Sequence, residues 1–329
     1  MLKRENGQQD FHSELLEKLV RKDHPYRKIK EIVNFKELLK PFHELYSCKG
    51  AEGIAVEIGF KCLLTQFFDD LSDRQMENAL KDNFPVKWFC GFSLTEPTPD
   101  HSYFGKLRKR IGTERLVGLF NQITERLKAK NLISSTFSFV DATMIVSKVA
   151  LWEERDKAIK NGLDKLNNDN VGNYSADKDA RFGCKGKNKF WFGYKKHCAV
   201  DMKHGLISAV AVTPANVPDA RAIERICPEG GMVFGDKGYS TKAVEAVLAE
   251  RGCHSGIIRK NNDPKKNKEK DRWLTKVRMP FESVFAATPK RTRYKGIAKT
   301  QFQATLEAIA FNLRRLVRIS SPPLSPTGA

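Results

Sequence analysis

The sequence contains no run of about 18 apolar residues, so no transmembrane helix is expected. Met1-Leu2-Lys3-Arg4-Glu5-Asn6 lacks the apolar stretch of a secretion signal, and a cytoplasmic protein is expected. Cysteine is sparse: seven residues, an odd number, scattered without a C-x-x-C pair. That pattern argues against a disulfide framework or a structural zinc site and for free thiols. Histidine is equally sparse, and His197, His204 and His254 lack ligand spacing, which leaves zinc ligation without support. Negative charge is also short, with 39 acidic against 58 basic residues and a net charge of +19. An excess of that size favours a polyanionic partner, nucleic acid before a membrane surface.

What is present is a globular composition, 40% hydrophobic and 29% charged, in a chain of 329 residues. That length suggests two domains with a substantial core. The first 130 or so residues read as helical. Segment 54–68 has apolar residues at helical spacing, and Ser72-Asp73-Arg74-Gln75 is a capping box that starts a short helix through Met76 and Leu80, ending before Pro85. Asp100 is placed to cap a helix with Tyr103, Phe104 and Leu107 on one face and Lys106, Arg108, Lys109 and Arg110 on the other. Thr113 caps an amphipathic helix through Leu116, Leu119, Phe120, Ile123 and Leu127.

The texture changes near Phe137. Segment 137–146 (FSFVDATMIV) reads as a buried strand holding one acid. Segment 152–189 is polar and rich in Asn, Gly and Lys, and is expected to be a surface insertion, mobile in part. Two apolar runs in 197–212 flank Lys203-His204-Gly205, a hairpin signal. A helix over 219–227, a strand at 232–234, a helix over 241–250 ended by Gly252 and a strand at 254–258 follow. Segment 258–276 reads as a charged linker, 277–287 and 301–319 as the last helices, and the Pro/Ser-rich tail after Ser320 as disordered. The alternation describes a mixed α/β layout.

Three acids stand in unusual settings. Asp141 lies inside an apolar strand, where a charge is costly unless paired, hydrogen-bonded or bound to metal; the plainer reading is a cap on a neighbouring turn. Asp236 ends a second apolar strand in Gly235-Asp236-Lys237-Gly238-Tyr239, which is either a site at a carboxyl strand end or an inert turn. Glu282 follows Arg278 by four residues, the spacing of a surface ion pair, yet Phe281, Val284 and Phe285 draw that helix toward the core. A strand acid, a strand-end acid and a helix acid can converge at one sheet edge. Three hard oxygen donors suit Mg²⁺ or Mn²⁺. Two such ions about 3.5–4 Å apart polarise a water or a 3′-hydroxyl and stabilise the leaving oxygen at phosphorus.

These residues carry a resemblance that covers nearly the whole chain. Leu71-Ser72-Asp73, Trp88-Phe89-Cys90-Gly91-Phe92 and the 104–112 helix are followed by Val140-Asp141-Ala142-Thr143, Ala180-Arg181-Phe182-Gly183 and Tyr194-Lys195-Lys196-His197. Val212-Thr213-Pro214-Ala215-Asn216-Val217-Pro218-Asp219, Gly235-Asp236-Lys237-Gly238-Tyr239, Glu282 with Val284 and Phe285, and Arg293-Tyr294-Lys295-Gly296 complete it. In combination they resemble the DDE transposases of bacterial insertion sequences, the "IS five" group of the "IS four" superfamily. The resemblance implies an RNase H-like mixed-sheet catalytic core over 133–320, with a basic insertion at 151–190. It also implies a helical N-terminal DNA-binding or assembly domain over 1–132 and a tail at 321–329. It implies that Asp141, Asp236 and Glu282 are the catalytic acids and metal ligands for Mg²⁺ or Mn²⁺, as two ions, and that Arg278 has a phosphate or active-site role. Two positions depart from the superfamily pattern: Thr275 stands where a Tyr is usual, and Pro289 where a Lys is usual, with Lys290 one step later.

Lys290 is a further candidate DNA contact, and Lys237 and Tyr239 either contact phosphate or pack at a helix start. Lys185, Lys187, Lys189, Lys195 and Lys196 are either a solvated basic face or, as the implied fold and the net charge favour, a DNA contact stripe. Arg108, Lys109 and Arg110 are candidates for reading terminal repeats. Asn216 and Asp219 are expected to fix a turn and cap the next helix. The expected partners are double-stranded DNA, as terminal inverted repeats and target, and a second copy of the chain in the synaptic complex, at the nucleoid. The competing readings are an inactive transposase-derived DNA-binding protein and a structure-specific RNase H-like nuclease.

Overall fold

Each helix near the N-terminus begins for a local reason. The computed structural model describes residues 11–46, 53–186, 188–286 and 289–320. The 321–329 tail and Lys187 lie outside the described residues. One unit runs to Leu119 and takes in the chain from Ile309 onward; the other is Phe120–Ala308.

The first unit holds α1 (Phe11–Leu19), α2 (Pro25–Ile32), α3 (Phe35–Leu38), α4 (Val56–Phe68), α5 (Asp73–Asp82), α6 (Phe84–Cys90), α7 (His101–Ile111) and the start of α8 (Thr113–Ala129). The capping box forms as expected: the Gln75 amide donates to Ser72 Oγ at 3.3 Å and the Ser72 amide to Gln75 Oε1 at 2.9 Å. Asp100 caps α7 through the Ser102 amide at 2.7 Å. The α5 helix does stop before Pro85, but Asn83 then caps α6 through the Val86 amide at 3.1 Å. Pro85 sits in the first turn of α6, where its missing N–H costs nothing. Phe60, Leu63, Met76, Leu80, Phe89 and Phe104 fill this unit's interior.

The second unit is built on one sheet: β1 (Phe137–Val146), β2 (Arg181–Lys185), β3 (Lys189–Asp201), β4 (Ile207–Pro214), β5 (Gly231–Gly235) and β6 (Cys253–Ile257). β3 lies antiparallel to β1 and to β4, and its first residues pair with β2. β5 lies parallel to β1, and β6 parallel to β5. The path β4–β3–β1–β5–β6, antiparallel on one side of β1 and parallel on the other, is that of an RNase H-like core. Gly193 is required where β3 meets β1: its φ is +153°, and an added Cβ would lie 2.2 Å from the Ile145 carbonyl oxygen.

Side chains alternate across each strand, so the sheet is apolar on both faces. Val140, Ala199, Ala211 and Val233 pack on one face with α11 (Ile223–Ile226) and α12 (Lys242–Glu250). Ile145, Tyr194 and Val212 pack on the other with Val171, Ala180 and Ala304.

Three expectations need correction. Segment 152–189 is not an open insertion: it forms α9 (Trp152–Lys160), α10 (Val171–Tyr174), β2 and the start of β3. Buried Asp177 anchors it, accepting from Ser147 Oγ at 2.8 Å, Tyr194 Oη at 2.5 Å and the Gly296 amide at 3.0 Å. The charged linker contains a helix, α13 (Lys268–Arg278), capped by Asn267. The helix expected over 277–287 is broken instead. Pro280 cannot donate a backbone hydrogen bond, so a 3-10 turn, Met279–Phe281, separates α13 from α14 (Glu282–Ala286). The last helix, α15, spans Ile297–Ile319.

Candidate active site

Asp141 and Asp236 are brought together by strand register. β1 and β5 are parallel neighbours paired at Phe139↔Phe234, and each acid lies two residues further along its own strand direction. Side chains two apart on a strand share a face, so both carboxylates leave the sheet on the same side. Both line one cavity of about 460 Å³.

Asp141 Oδ1 accepts from the Ala142 amide at 2.7 Å. Burial, with the neighbouring Asp236 charge adding to it, pushes the Asp141 carboxyl up to about 6, against the pull of that amide, Arg278 and Lys185. Asp236 Oδ1 accepts from the Gly238 amide at 2.8 Å, capping the short 3-10 turn Lys237–Tyr239. A Cβ at Gly238 would stand 2.9 Å from that same oxygen, so the close amide contact depends on glycine. Two carboxylates in one cavity, one of them holding its proton too tightly for a free carboxyl, are a donor set that fits a hard cation.

Four lysines, Lys185, Lys189, Lys195 and Lys290, stand in the cavity wall with Trp191, Asp219 and a set of small and apolar residues. Asp219 does not cap the following helix turn, which makes no side-chain cap bond. It accepts from Lys195 Nζ at 2.8 Å, and the Val217 carbonyl accepts from the same ammonium at 2.9 Å. Asp219 ends the Val212–Asp219 block, where local sequence predicts only a turn and a cap. Its place in the cavity depends on the β3–β4 hairpin pairing with β1, a contact between segments far apart in the chain that no local signal encodes.

Glu282 stands apart. It is exposed, does not line the cavity, and accepts from Arg278 Nη2 at 3.1 Å. Its helix does reach the cavity through Phe285 and Ala286. Among the described residues no three His, Cys, Asp or Glu side chains converge tightly enough to hold a metal ion. Arg278 is largely buried, its guanidinium 5.6 Å from the Phe139 ring centre. Its Nε and Nη1 are buried without a partner.

The remaining expected DNA contacts divide by burial. Lys237 and Lys290 are exposed. Backbone bonds fix the strap carrying Lys290 against β1: the Val146 amide donates to the Lys290 carbonyl at 2.8 Å. Lys195 faces the cavity, but Lys196 does not and leaves the stripe. Alternation along β3 turns Lys196 to the opposite face, where it is 2% exposed and its Nζ lies 2.7 Å from buried Glu307 Oε2. Tyr239 is also corrected: it is fully buried, its hydroxyl has no partner, and Asp219, Asp141 and Asp236 surround it closely enough to hold its pKa well above the usual range, behind burial as the larger cause. In the first unit Arg108 is committed to Asp73, donating from Nη1 at 2.8 Å and Nη2 at 2.6 Å, and is not offered to DNA. Arg110 lies over Tyr46, 4.8 Å from the ring centre, while Lys109 is exposed. No described helix is long and apolar enough to cross a membrane.

Strand acids beneath a lysine-walled cavity, on an RNase H-like sheet, define a phosphoryl-transfer enzyme acting on a polyanion. The Transposase DDE domain family matches residues 136–313, more than half of the 329, and the chain belongs to that family. A second family, Transposase domain (DUF772), matches residues 14–110. The chain is accordingly a DDE-type transposase, an enzyme of DNA transposition, and enzymes of this family use divalent metal ions. Among solved structures, "Mos1 transposase paired-end complex with left transposon end" is similar at 10% identity and a TM-score of 0.19, over 92% of this chain and 91% of that one. Likeness at that score adds nothing to the family match.

Proposed function

We propose that Asp141, Asp236 and Glu282 are the catalytic acids of an insertion-sequence transposase of the "IS five" group, and that they hold Mg²⁺ or Mn²⁺, as a pair of ions. The observation that carries this is the shared cavity of Asp141 and Asp236, acids far apart in the chain, where burial and then the Asp236 charge disfavour ionisation of Asp141. The bound metal supplies Lewis-acid activation of the attacking oxygen and charge neutralisation on the leaving one. Glu282 completes the donor set by leaving Arg278, and Arg278 then turns its unpartnered N–H groups to a phosphate oxygen.

Two in-line displacements follow. In the first, a water oxygen bonds to phosphorus at the element end and the P–O3′ bond breaks, leaving a 3′-hydroxyl. In the second, that hydroxyl loses its proton, bonds to a target phosphorus and expels the target O3′. Lys185, Lys189, Lys195 and Lys290 hold the phosphodiester chain over the acids, Lys195 fixed by Asp219 and the Val217 carbonyl. Residues 1–132 serve DNA binding and assembly and 133–320 catalysis, and two ends are paired by a dimer or larger assembly at the nucleoid.

The test is cleavage and strand transfer on duplexes carrying the inverted repeats that flank the gene. Asp236→Asn should bind these duplexes as the parent does and fail to cut them with Mg²⁺ or Mn²⁺. Continued cutting rejects the assignment.

A further inference from the structure

Asp236 borders a second cavity, of about 870 Å³, which Asp141 does not line. Its wall carries six cations, Lys237, Lys266, Lys268, Arg272, Lys276 and Arg278, against two acids, Asp236 and Asp271. Asp271 Oδ2 lies 3.5 Å from Lys266 Nζ as an ion pair without a hydrogen bond, and Lys266 Nζ donates instead to Asn261 Oδ1 at 2.7 Å. Lys268, Arg272 and Lys276 remain exposed on α13. They recur at every fourth residue, which places them on one helix face. At 1.5 Å per residue this line of charge is about 12 Å long. A DNA strand advances about 3.4 Å per nucleotide, so the line matches three to four phosphates.

A solvated helix face normally mixes signs. Here the acids Glu269 and Asp271 fall off the Lys268–Arg272–Lys276 line, so that line carries charge of one sign, and cations outnumber acids in the cavity wall six to two. Repulsion among these cations is offset when they meet a polyanion. The cavity with Asp141 has its own lysines, and Asp236 is the acid that both cavities share.

We infer that the α13 cavity holds the sugar–phosphate backbone of a second DNA segment, so that two phosphodiester chains flank Asp236. This rests on the transposase reading above and deepens it: a reaction that joins one DNA end to another duplex needs both backbones beside one acid. The cavity with Asp141 takes the end being cut, and the α13 cavity takes the strand that receives it. Trp273, on the same helix and 53% exposed, is a built-in reporter of occupancy.

The full-length chain, titrated in EDTA with a random-sequence eight-nucleotide DNA strand, tests this. The K268Q/R272Q/K276Q variant should bind one oligonucleotide fewer per chain than the parent and lose the DNA-induced change in Trp273 emission, identified by its absence in Trp273→Phe. With a 30-base-pair random duplex, its affinity should depend less steeply on salt, by about 2–3 in the log–log slope. An unchanged stoichiometry, or an unchanged salt slope, overturns the inference. Should the triple variant fail to fold, Arg272→Gln alone should lower the slope by about 1, and no change there overturns it equally. Retention of a Mn²⁺-induced rise in melting temperature by the triple variant supports separation of this cleft from the acid pair, whereas its loss overturns it. Failure of the transposase reading itself would show separately, as cleavage that survives Asp236→Asn.

Discussion

Arg278 and Glu282 face each other across Pro280, with Nη2 donating to Oε1 at 3.1 Å. The pair spans two helices because the proline interrupts what would otherwise be one. Glu282 stands outside the cavity, and Arg278 sets a positive charge close enough to Asp141 to oppose part of the rise in its pKa.

Replacing Arg278 by Gln removes that charge and frees Glu282. Metal-free protein titrated with Mn²⁺ should then bind the ion about 5-fold more tightly, roughly 1 kcal/mol, the scale of one charge at partly screened range. Strand transfer should fall at the same time, because the phosphate loses its guanidinium. Weaker Mn²⁺ binding would show that Arg278 supports the metal site instead of restraining it.

Asp141→Asn separates stability from activity. The Asp141 carboxyl has a folded value of about 6 against 3.8 in the unfolded chain. The fold therefore binds the proton more tightly, and ionised Asp141 costs stability that grows from pH 4 to 6 and persists above. In EDTA at pH 7 the variant should be more stable by about 1–3 kcal/mol, a rise of several degrees in melting temperature. Its Mg²⁺-dependent cleavage should fall by about 10²-fold or more. A destabilised variant in EDTA would contradict the environment described for this acid.

His197 is buried with Nε2 2.8 Å from Thr213 Oγ1 and Nδ1 unpartnered. Burial pulls its pKa down to about 4 from 6.5. A lowered imidazole value means the unfolded chain takes up the proton first. Stability is thus fully present above about pH 6.5 and is lost as pH falls toward 4, by up to about 3 kcal/mol. Urea melts across that window should show a shallower decline in His197→Gln than in the parent.

The buried Lys196–Glu307 pair, 2.7 Å apart, joins β3 to α15. Gln303 donates to the other Glu307 oxygen at 2.8 Å. Lys196→Met should cost about 3–5 kcal/mol in urea denaturation, since it strands a buried carboxylate, and adding Glu307→Leu should recover most of that loss. The double variant should keep the parent's salt dependence of DNA binding; a shallower dependence would return Lys196 to the DNA surface.

The sequence by itself determined what short-range chemistry controls. The Ser72 capping box, the Asp100 cap, the 137–146 strand and the hairpin about Lys203-His204-Gly205 all formed where residue pattern and turn chemistry place them. Each depends on neighbours within about a helical turn or a strand pair. Only the tertiary structure decided which face of β3 meets the cavity, so that Lys195 lines it while Lys196 is sealed against Glu307. It likewise decided that parallel pairing of β1 with β5 sets Asp141 beside Asp236, that Asp219 joins them, and that Glu282 rests on Arg278. Those outcomes follow from register and packing between segments far apart in the chain, and a carboxylate's spelling in the sequence is the same on either face of a sheet.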